Sequence, residues 1–388
     1  MISHFLSGNQ LRLLESGAEF FPALLEEIAR ARHEIHLETY IFEADRSGQA
    51  VAAALTAAAR RGVAVRILVD GFGAREFPFV LGQGLVAAGA EVLTYRPEAG
   101  RFALRRGRLR RLHRKLSVFD GAVAFIGGIN IIDDHNTPHQ TPPRFDYAVR
   151  IEGPVVAQIH GVMRGLWRLV RWATLGRRPP APPALPVASE LRGDITARLV
   201  VRDNLRHRRD IEGAYLEAIS AARHEIILAN AYFLPGRRFR KALIAASRRG
   251  VQVTLLLQGR VEYVLMHYAT LALYGILLKT GIRIFEYRAG FLHAKVAVVD
   301  CDWVTVGSSN IDPFSLLLAR EANLVVQDAA FASQLKAGLT KAIAHGGAEI
   351  YRRDLHARPW YMRLASRIAY ALVRILVGVT GYGGKSNR

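Results

Sequence analysis

The chain has 388 residues and a formal charge of +20, from 53 Lys and Arg against 33 Asp and Glu. It is 51% hydrophobic and holds one cysteine, Cys301, which excludes an intrachain disulfide scaffold, a cysteine-built metal site and a disordered chain. The basic excess implies an anionic partner: nucleic acid, a membrane surface or a phosphorylated substrate.

The N-terminal segment MISHFLSGNQLRLLESG lacks a basic stretch followed by a continuous apolar core, so no signal peptide is expected. No uninterrupted apolar run reaches the length of a transmembrane helix. The spacing predicts a helix over Phe20–Ile28, then a strand from Glu34 to Phe42. An alanine-rich helix follows, ending at Arg60-Arg61-Gly62, and Val65–Val69 reads as a buried strand. Gly62 suits a helix C-cap, with arginines where the helix dipole favours cations. After a third helix comes the strand Gly89–Arg96. Arg101–Arg114 then carries seven arginines and runs into His113, which reads as an anion-collecting rim.

Next comes Leu112–Asn130, LHRKLSVFDGAVAFIGGIN, with His113, Lys115, Asp120, Gly127 and Asn130. The same five residue types recur 180 positions later as His293, Lys295, Asp300, Gly307 and Asn310, in the pattern H-x-K-x₄-D-x₆-G-x₂-N. Five fixed positions match at a random start with a chance on the order of 10⁻⁷. The elements before the motif recur as well: Ile211–Ala222, Glu225–Phe233, Ala242–Arg249 with Gly250, Val253–Leu257 and Gly281–Arg288. Each half reads β-α-β-α-β followed by a hairpin, which implies an α/β fold with a mostly parallel mixed sheet and flanking helices. The proline-rich stretch Arg177–Glu190 separates the halves, and residues 136–143 form a loop. Glu262–Leu278 is apolar nearly all round and reads as a buried helix. Trp360–Thr380 places Arg363, Arg367 and Arg374 near one helical face, with Trp360, Leu364, Ile368, Leu372, Ile375 and Leu376 largely elsewhere. That pattern suits a helix lying in a membrane interface, or one docked on the protein itself.

On a strand, His113 and Lys115 share a face, and so do His293 and Lys295. Asp120 and Asp300 have the opposite parity and sit at turns, where their expected work is local. Each motif supplies one imidazole and one cation, so two copies brought together meet the needs of metal-free displacement at phosphorus. One imidazole attacks phosphorus and the other protonates the leaving alcohol. Lys115, Lys295, Asn130 and Asn310 then surround the non-bridging oxygens. Asp146 and Glu321, each opening a strand shortly after its motif, are candidates to orient the histidine of the opposite half.

The duplicated H-x-K-x₄-D motif with G-[GS]-x-N resembles the phospholipase D superfamily. Glu38–Phe42, Arg61–Val63, Asp70-Gly71, Gly127–Ile131, Ile151–Pro154, Ala231–Pro235 and Gly307–Asp312 resemble bacterial cardiolipin synthases without N-terminal transmembrane helices. The resemblance implies two pseudo-symmetric lobes, 1–178 and 191–355, with one active site between them. It leaves a linker at 179–190 and an interfacial tail at 356–388. It also implies a catalytic set of His113, Lys115, Asp120, His293, Lys295 and Asp300, with His113 as nucleophile and His293 as acid. Ser308 joins the asparagines as a phosphate donor; the first copy has Gly128 there. The implied reaction is transphosphatidylation onto phosphatidylglycerol, with phosphatidylethanolamine also a candidate lipid. No cofactor or metal is implied, and the place of work is the cytoplasmic face of a bacterial membrane. The alternatives are a phospholipase D or nuclease that uses water, and a lipid-binding scaffold without catalysis.

Overall fold

A computed structural model describes residues 4–97, 110–138, 140–175, 190–203, 206–260, 264–313 and 319–379. The first half runs β1 (Leu6–Glu15), α1 (Ser16–Arg30), β2 (Glu34–Thr39), α2 (Arg46–Arg60), β3 (Ala64–Asp70), α3 (Phe77–Val80), α4 (Gly82–Ala87) and β4 (Glu91–Tyr95). It continues through β5 (Leu116–Phe119), β6 (Val123–Gly127), β7 (Arg144–Phe145), β8 (Tyr147–Glu152) and α5 (Val155–Leu175). The second half repeats the plan with β9 (Ile195–Arg202), α6 (Asp210–Ala221), β10 (Glu225–Asn230), α7 (Arg237–Arg248), β11 (Gln252–Gln258), α8 (Val264–Leu278) and β12 (Arg283–Tyr287). Then come β13 (Phe291–Leu292), β14 (Lys295–Val299), β15 (Trp303–Gly307), β16 (Glu321–Gln327) and α9 (Ala329–Gly346). The chain closes with β17 (Gly347–Ile350), α10 (Arg352–Ala357) and α11 (Trp360–Val379).

The strands join one 15-stranded sheet in the order β17-β12-β11-β10-β14-β15-β16-β9-β1-β8-β6-β5-β2-β3-β4. Read outward from the β9–β1 seam, the two halves have the same strand order, with β17 added at the outer edge of the second. The repeat is therefore a repeat of topology as well as of motif. Within this sheet, parallel pairing of strands is confined to β2-β3-β4 and β10-β11-β12; the other strand pairs are antiparallel. The sheet is thus mixed, with less parallel character than the βαβ order alone implied. The seam pairs Leu6 with Ala197 and Asn9 with Ile195. The proline-rich linker expected at 179–190 and most of the arginine run lie outside the described residues.

Alternating strand residues feed opposite faces. On one face, α5 and α9 cover a core that draws Val118, Ile126 and Val149 from the first half and Val298, Val306 and Leu324 from the second. On the other face, each half keeps its own core: α1 and α2 cover the first, and α6, α7 and α8 the second. Full burial of one such aliphatic side chain contributes about 1.5–3 kcal/mol, so the shared face fixes the halves to each other.

Asp45 caps α2 by accepting from the Gly48 amide at 3.0 Å. Arg61 donates to the carbonyls of Ile28 and Ala29 at the end of α1, each at 3.1 Å. Arg249 does the same for Ile219 at the end of α6, at 2.9 Å. Both arginines therefore satisfy the C-terminal carbonyls of a neighbouring helix.

The C-terminal helix α11 docks against α8 through Ser366, Ala369 and Val373, and Arg240 of α7 donates to Tyr370 Oη at 2.9 Å. Trp360, Leu364, Ile368, Leu372 and Ile375 remain exposed. The helix thus has a docked stripe of small residues and an outward apolar stripe. No helix among the described residues is long and apolar enough to cross a membrane. Cys301 is exposed in the turn after β14.

Candidate active site

Short backbone zippers carry each histidine to the opposite half. Leu112 forms a parallel bridge with Arg320, and the His113 amide donates to Arg320 O at 3.0 Å. In the second copy, β13 pairs in parallel with β7, and the His293 amide donates to Phe145 O at 2.8 Å. The residue after each zipper partner is a carboxylate, Glu321 or Asp146. Each carboxylate therefore lies beside the histidine of the other half. His113 Nδ1 is 3.0 Å from Glu321 Oε1, and His293 Nδ1 is 2.6 Å from Asp146 Oδ2.

Lys115 Nζ donates to His113 O at 2.6 Å, and Lys295 donates to His293 O. Lys295 Nζ also lies 3.4 Å from Asp146 Oδ2 and 2.9 Å from His293 Nδ1. Both ammonium groups are buried. Burial pushes the Lys115 pKa down to about 7, and Lys295 is lowered for the same reason. Burial also lowers His113, with Glu321 opposing the shift. His293 is lowered further, by burial and then by the Lys295 charge. Burial raises the Asp146 carboxyl, against the pull of Lys295. Two buried ammonium groups face two carboxylates, and burial pushes the lysines and both histidines toward their neutral forms, so an anion entering the cleft favours the charged forms again.

Asn130 and Asn310 are buried at the ends of their copies of the motif. Asn130 Oδ1 accepts from the Ile41 amide at 3.1 Å, which fixes the amide group and leaves its NH₂ as a donor. Asn310 Oδ1 has no partner.

Three expected site residues do other work. Asp120 accepts from the amides of Arg32, His33 and Glu34 at 2.7–2.9 Å. Asp300 accepts from Arg223, His224 and Glu225 at 2.8–3.1 Å. Each sits at the far end of its strand from the histidine, at positive φ, and ties a hairpin turn to the start of the neighbouring strand. Neither joins the catalytic cluster. Ser308 is fully buried, and its hydroxyl donates to Glu321 Oε2 at 2.5 Å instead of facing a substrate. In the first copy a Cβ at position 128 would lie 2.3 Å from Asp146 Oδ1. Gly128 is therefore required, because the Asp146 carboxylate occupies the space that a side chain would take.

Other residues of the site gave weaker signals. Tyr40 places its ring 5.0 Å from the His113 ring and 5.5 Å from Lys115 Nζ. It lay within the resembling segment Glu38–Phe42, but nothing in its spacing pointed to the cleft. Arg114 is not part of an exposed rim; it forms a buried pair with Glu38 at 2.7 Å behind the motif. The second half has Ala294 and Ala229 at those two positions. Arg202 donates to Ala319 O and so holds the backbone that presents Glu321.

Among the described residues one group could offer three metal-ligand atoms within 4.8 Å, namely Glu34, His36 and His160. Arg66 Nη1 already lies 3.0 Å from Glu34 Oε2 and 3.1 Å from His36 Nε2, so a guanidinium supplies the cation of that cluster.

The domain described as "Cardiolipin synthase, PLD-like domain" matches residues 24–167 and again 215–342, one match for each half. The chain is 38% identical to cardiolipin synthase B of Escherichia coli K12 over 97% of this chain and 90% of that one. It is 31% identical to cardiolipin synthase A of Erwinia tasmaniensis over 94% of this chain and 75% of the relative. Its fold matches phosphatidylserine synthase of Haemophilus influenzae with a TM-score of 0.70 at 15% identity, over 96% and 95% of the two chains. Polyphosphate kinase of Porphyromonas gingivalis matches with a TM-score of 0.59 at 16% identity, over 96% of this chain and 53% of that one. A duplicated domain, a site assembled across the duplication and these relatives agree: the chain belongs to the cardiolipin synthase family, phospholipid phosphatidyltransferases of the phospholipase D superfamily.

Proposed function

We propose that this enzyme makes cardiolipin by transferring a phosphatidyl group to phosphatidylglycerol through a phosphohistidine. The observation that carries the reading is the cross-lobe pairing of His113 with Glu321 and of His293 with Asp146. A Nδ1–H that donates to a carboxylate leaves Nε2 of the neutral ring with its lone pair free. Burial keeps His113 neutral near pH 7, as a nucleophile requires. His113 Nε2 attacks phosphorus while His293, as imidazolium, gives its proton to the departing alkoxide. Burial first and then the Lys295 charge disfavour imidazolium at His293; the phosphodiester anion offsets that charge, so substrate binding helps to arm the acid. His293 then takes the proton of the incoming hydroxyl. As the new O–P bond forms, the P–N bond to His113 breaks. Lys115, Lys295, Asn130 and Asn310 stabilise the oxygens that carry the developing charge.

The outward stripe Trp360, Leu364, Ile368, Leu372 and Ile375, with Arg363, Arg367 and Arg374 on the same helix, supports peripheral attachment to an anionic bilayer. We place that attachment on the cytoplasmic face, and protease accessibility in right-side-out and inverted vesicles tests the side. For the chemistry, purified protein is incubated with labelled phosphatidylglycerol vesicles in the presence of chelator. Cardiolipin with release of glycerol is expected. Phosphatidic acid as the sole product would replace the transferase with a hydrolase. Degradation of DNA with no lipid turnover would overturn both.

A further inference from the structure

The two lysines of the motif occupy matching positions, yet they are held differently. Lys295 Nζ has a carboxylate partner, Asp146 Oδ2, at 3.4 Å. Among the described residues no carboxylate pairs with Lys115, whose ammonium donates to His113 O at 2.6 Å. What faces it instead is the ring of Tyr40, with Nζ 5.5 Å from the ring centroid. The second half reverses both features: Ala231 stands at the position of Tyr40, and the carboxylate is present. A ring in one half thus takes the place of a carboxylate in the other. The ring is firmly placed. Thr39 Oγ1 donates to Ile41 O at 2.8 Å, and the Ile41 amide donates to Asn130 Oδ1 at 3.1 Å, so the backbone around Tyr40 is tied down. A Cβ at Gly73 would lie 2.4 Å from Tyr40 O and 2.8 Å from two carbons of the ring. The bare Gly73 backbone therefore packs directly on the ring. The ring also meets the His113 imidazole, with centroids 5.0 Å apart and planes at 59°.

A buried ammonium needs a compensating neighbour. A carboxylate supplies a full opposite charge, which then also repels the substrate phosphate. The face of an aromatic ring attracts a cation through its quadrupole and adds no net charge. We propose that Tyr40 is a positioning residue that holds Lys115 by its ring face, so that on the side of His113 the phosphate meets an ammonium not already paired with a carboxylate. The inference rests on the phosphate-binding role given to Lys115 above. Burial is the largest influence on that ammonium. Glu321 at the start of β16, Asp146 before β8 and Asp70 at the end of β3 favour its charge, and Lys295 of β14 opposes it. The imidazoles of His113 and His293 interact with it as like charges when protonated. Glu38 of β2 is taken by Arg114, and both Asp70 oxygens accept backbone amides, from Phe72, Gly73 and Leu112. The ring works against burial, so its removal moves the titration of Lys115 to lower pH.

The test is the pH dependence of kcat/KM on labelled phosphatidylglycerol vesicles, counting phosphatidyl groups passed to any acceptor, water included, per folded molecule. Tyr40→Leu is expected to move the alkaline limb down by about 0.5–1 pH unit. The rate then falls about three- to tenfold at about pH 8 and less than about twofold at about pH 5.5. Tyr40→Phe keeps the ring and should keep the limb. Pentafluorophenylalanine installed at position 40 keeps the shape and reverses the quadrupole, so it should move the limb as Tyr40→Leu does without the loss of packing. In a Lys115→Arg background, whose cation does not titrate, adding Tyr40→Leu should change the rate by one factor at every pH. A limb that stays in place in folded Tyr40→Leu, or in the fluorinated protein should Tyr40→Leu not fold, overturns the assignment. So does a limb that moves as far in Tyr40→Phe, which would give the work to the hydroxyl. Phosphatidic acid as the sole product overturns the transferase reading and leaves this test in force; absence of any turnover overturns both.

Discussion

Replacing Asp300 separates the shape of the motif from its chemistry. Its carboxylate accepts from three successive amides, at 3.0 Å from Arg223, 2.8 Å from His224 and 3.1 Å from Glu225. Asp300→Ala removes all three acceptors. The amides of Arg223 and His224 are near solvent and can turn to water, so the loss is that of one charged hydrogen bond in a partly buried place, about 1.5–3 kcal/mol. Alanine at the positive φ of 52° adds about 1 kcal/mol of backbone strain. The sum, about 2.5–4 kcal/mol, lowers the unfolding midpoint by about 5–16 °C at about 2–4 °C per kcal/mol. Asp300→Asn keeps one acceptor and the tolerance for positive φ, so it costs about 1 kcal/mol. The assay is thermal unfolding by circular dichroism together with initial rates of phosphatidyl transfer measured well below every transition. Turnover per folded molecule should stay within about threefold of the unmodified protein in Asp300→Asn, because the carboxylate touches only backbone. Burial opposes ionisation of Asp300, but the three amides outweigh it and hold the carboxyl below its ordinary value. Its stabilising contribution is therefore present above the unfolded carboxyl pKa of about 3.9 and fades as pH falls through the lower folded value. An Asp300→Asn protein with an unchanged midpoint and turnover down about a thousandfold would refute this reasoning and return Asp300 to the catalytic set.

Glu321→Gln and Asp146→Asn should each lower kcat by about 10³–10⁴-fold with near-normal unfolding, since each removes the charge that fixes its histidine tautomer; rates within tenfold would sink the orienting assignment. The Lys115 pKa of about 7 makes kcat/KM fall as pH rises through that value, because the cation that meets the phosphate is lost. Lys115→Arg stays charged, so its residual activity should lose that alkaline limb in a pH–rate profile. Ile368→Asp with Leu372→Asp should weaken sedimentation with anionic vesicles, the two carboxylates replacing apolar contact with repulsion, and leave turnover of a short-chain soluble substrate unchanged. Unaltered vesicle binding would confine α11 to its docking on α8.

The strands that end at the site were legible because their residues carry both a period and a chemistry. His113 with Lys115 and His293 with Lys295 alternate on their strands, and the repeat fixed which positions correspond. The turn role of Asp120 and Asp300 followed from parity, although the motif as a unit placed them with the histidines. The seam strands were not legible. β1 and β9 are counterparts in the repeat, but both alternate weakly, and nothing in either marks it as the strand that joins the halves. Ser308 was misplaced for a related reason: a hydroxyl beside a motif can face inward or outward, and only the position of Glu321 decides. The C-terminal helix showed why helix periodicity alone could not choose between two surfaces. Ser366, Ala369 and Val373 form a narrow docking stripe, and the larger apolar residues on the remaining face stay exposed.

Duplication alone would give this enzyme two equivalent half-sites, whereas the two-step transfer proposed above needs unequal ones: one imidazole bonds to phosphorus while the other moves a proton. The symmetric parts supply what both steps share, the lysines, the asparagines and the zippers that carry each histidine to the carboxylate of the other half. The differences between the copies supply direction. Ser308 reinforces Glu321 behind His113, whereas the Lys295 ammonium engages Asp146 behind His293. The buried Glu38–Arg114 pair stiffens the first half, and alanines replace it in the second. The Tyr40 ring lies beside His113, and the second half has Ala231 at the corresponding position. These differences support the proposed division of labour, with His113 as the nucleophile in the more braced half and His293 as the acid–base group in the other.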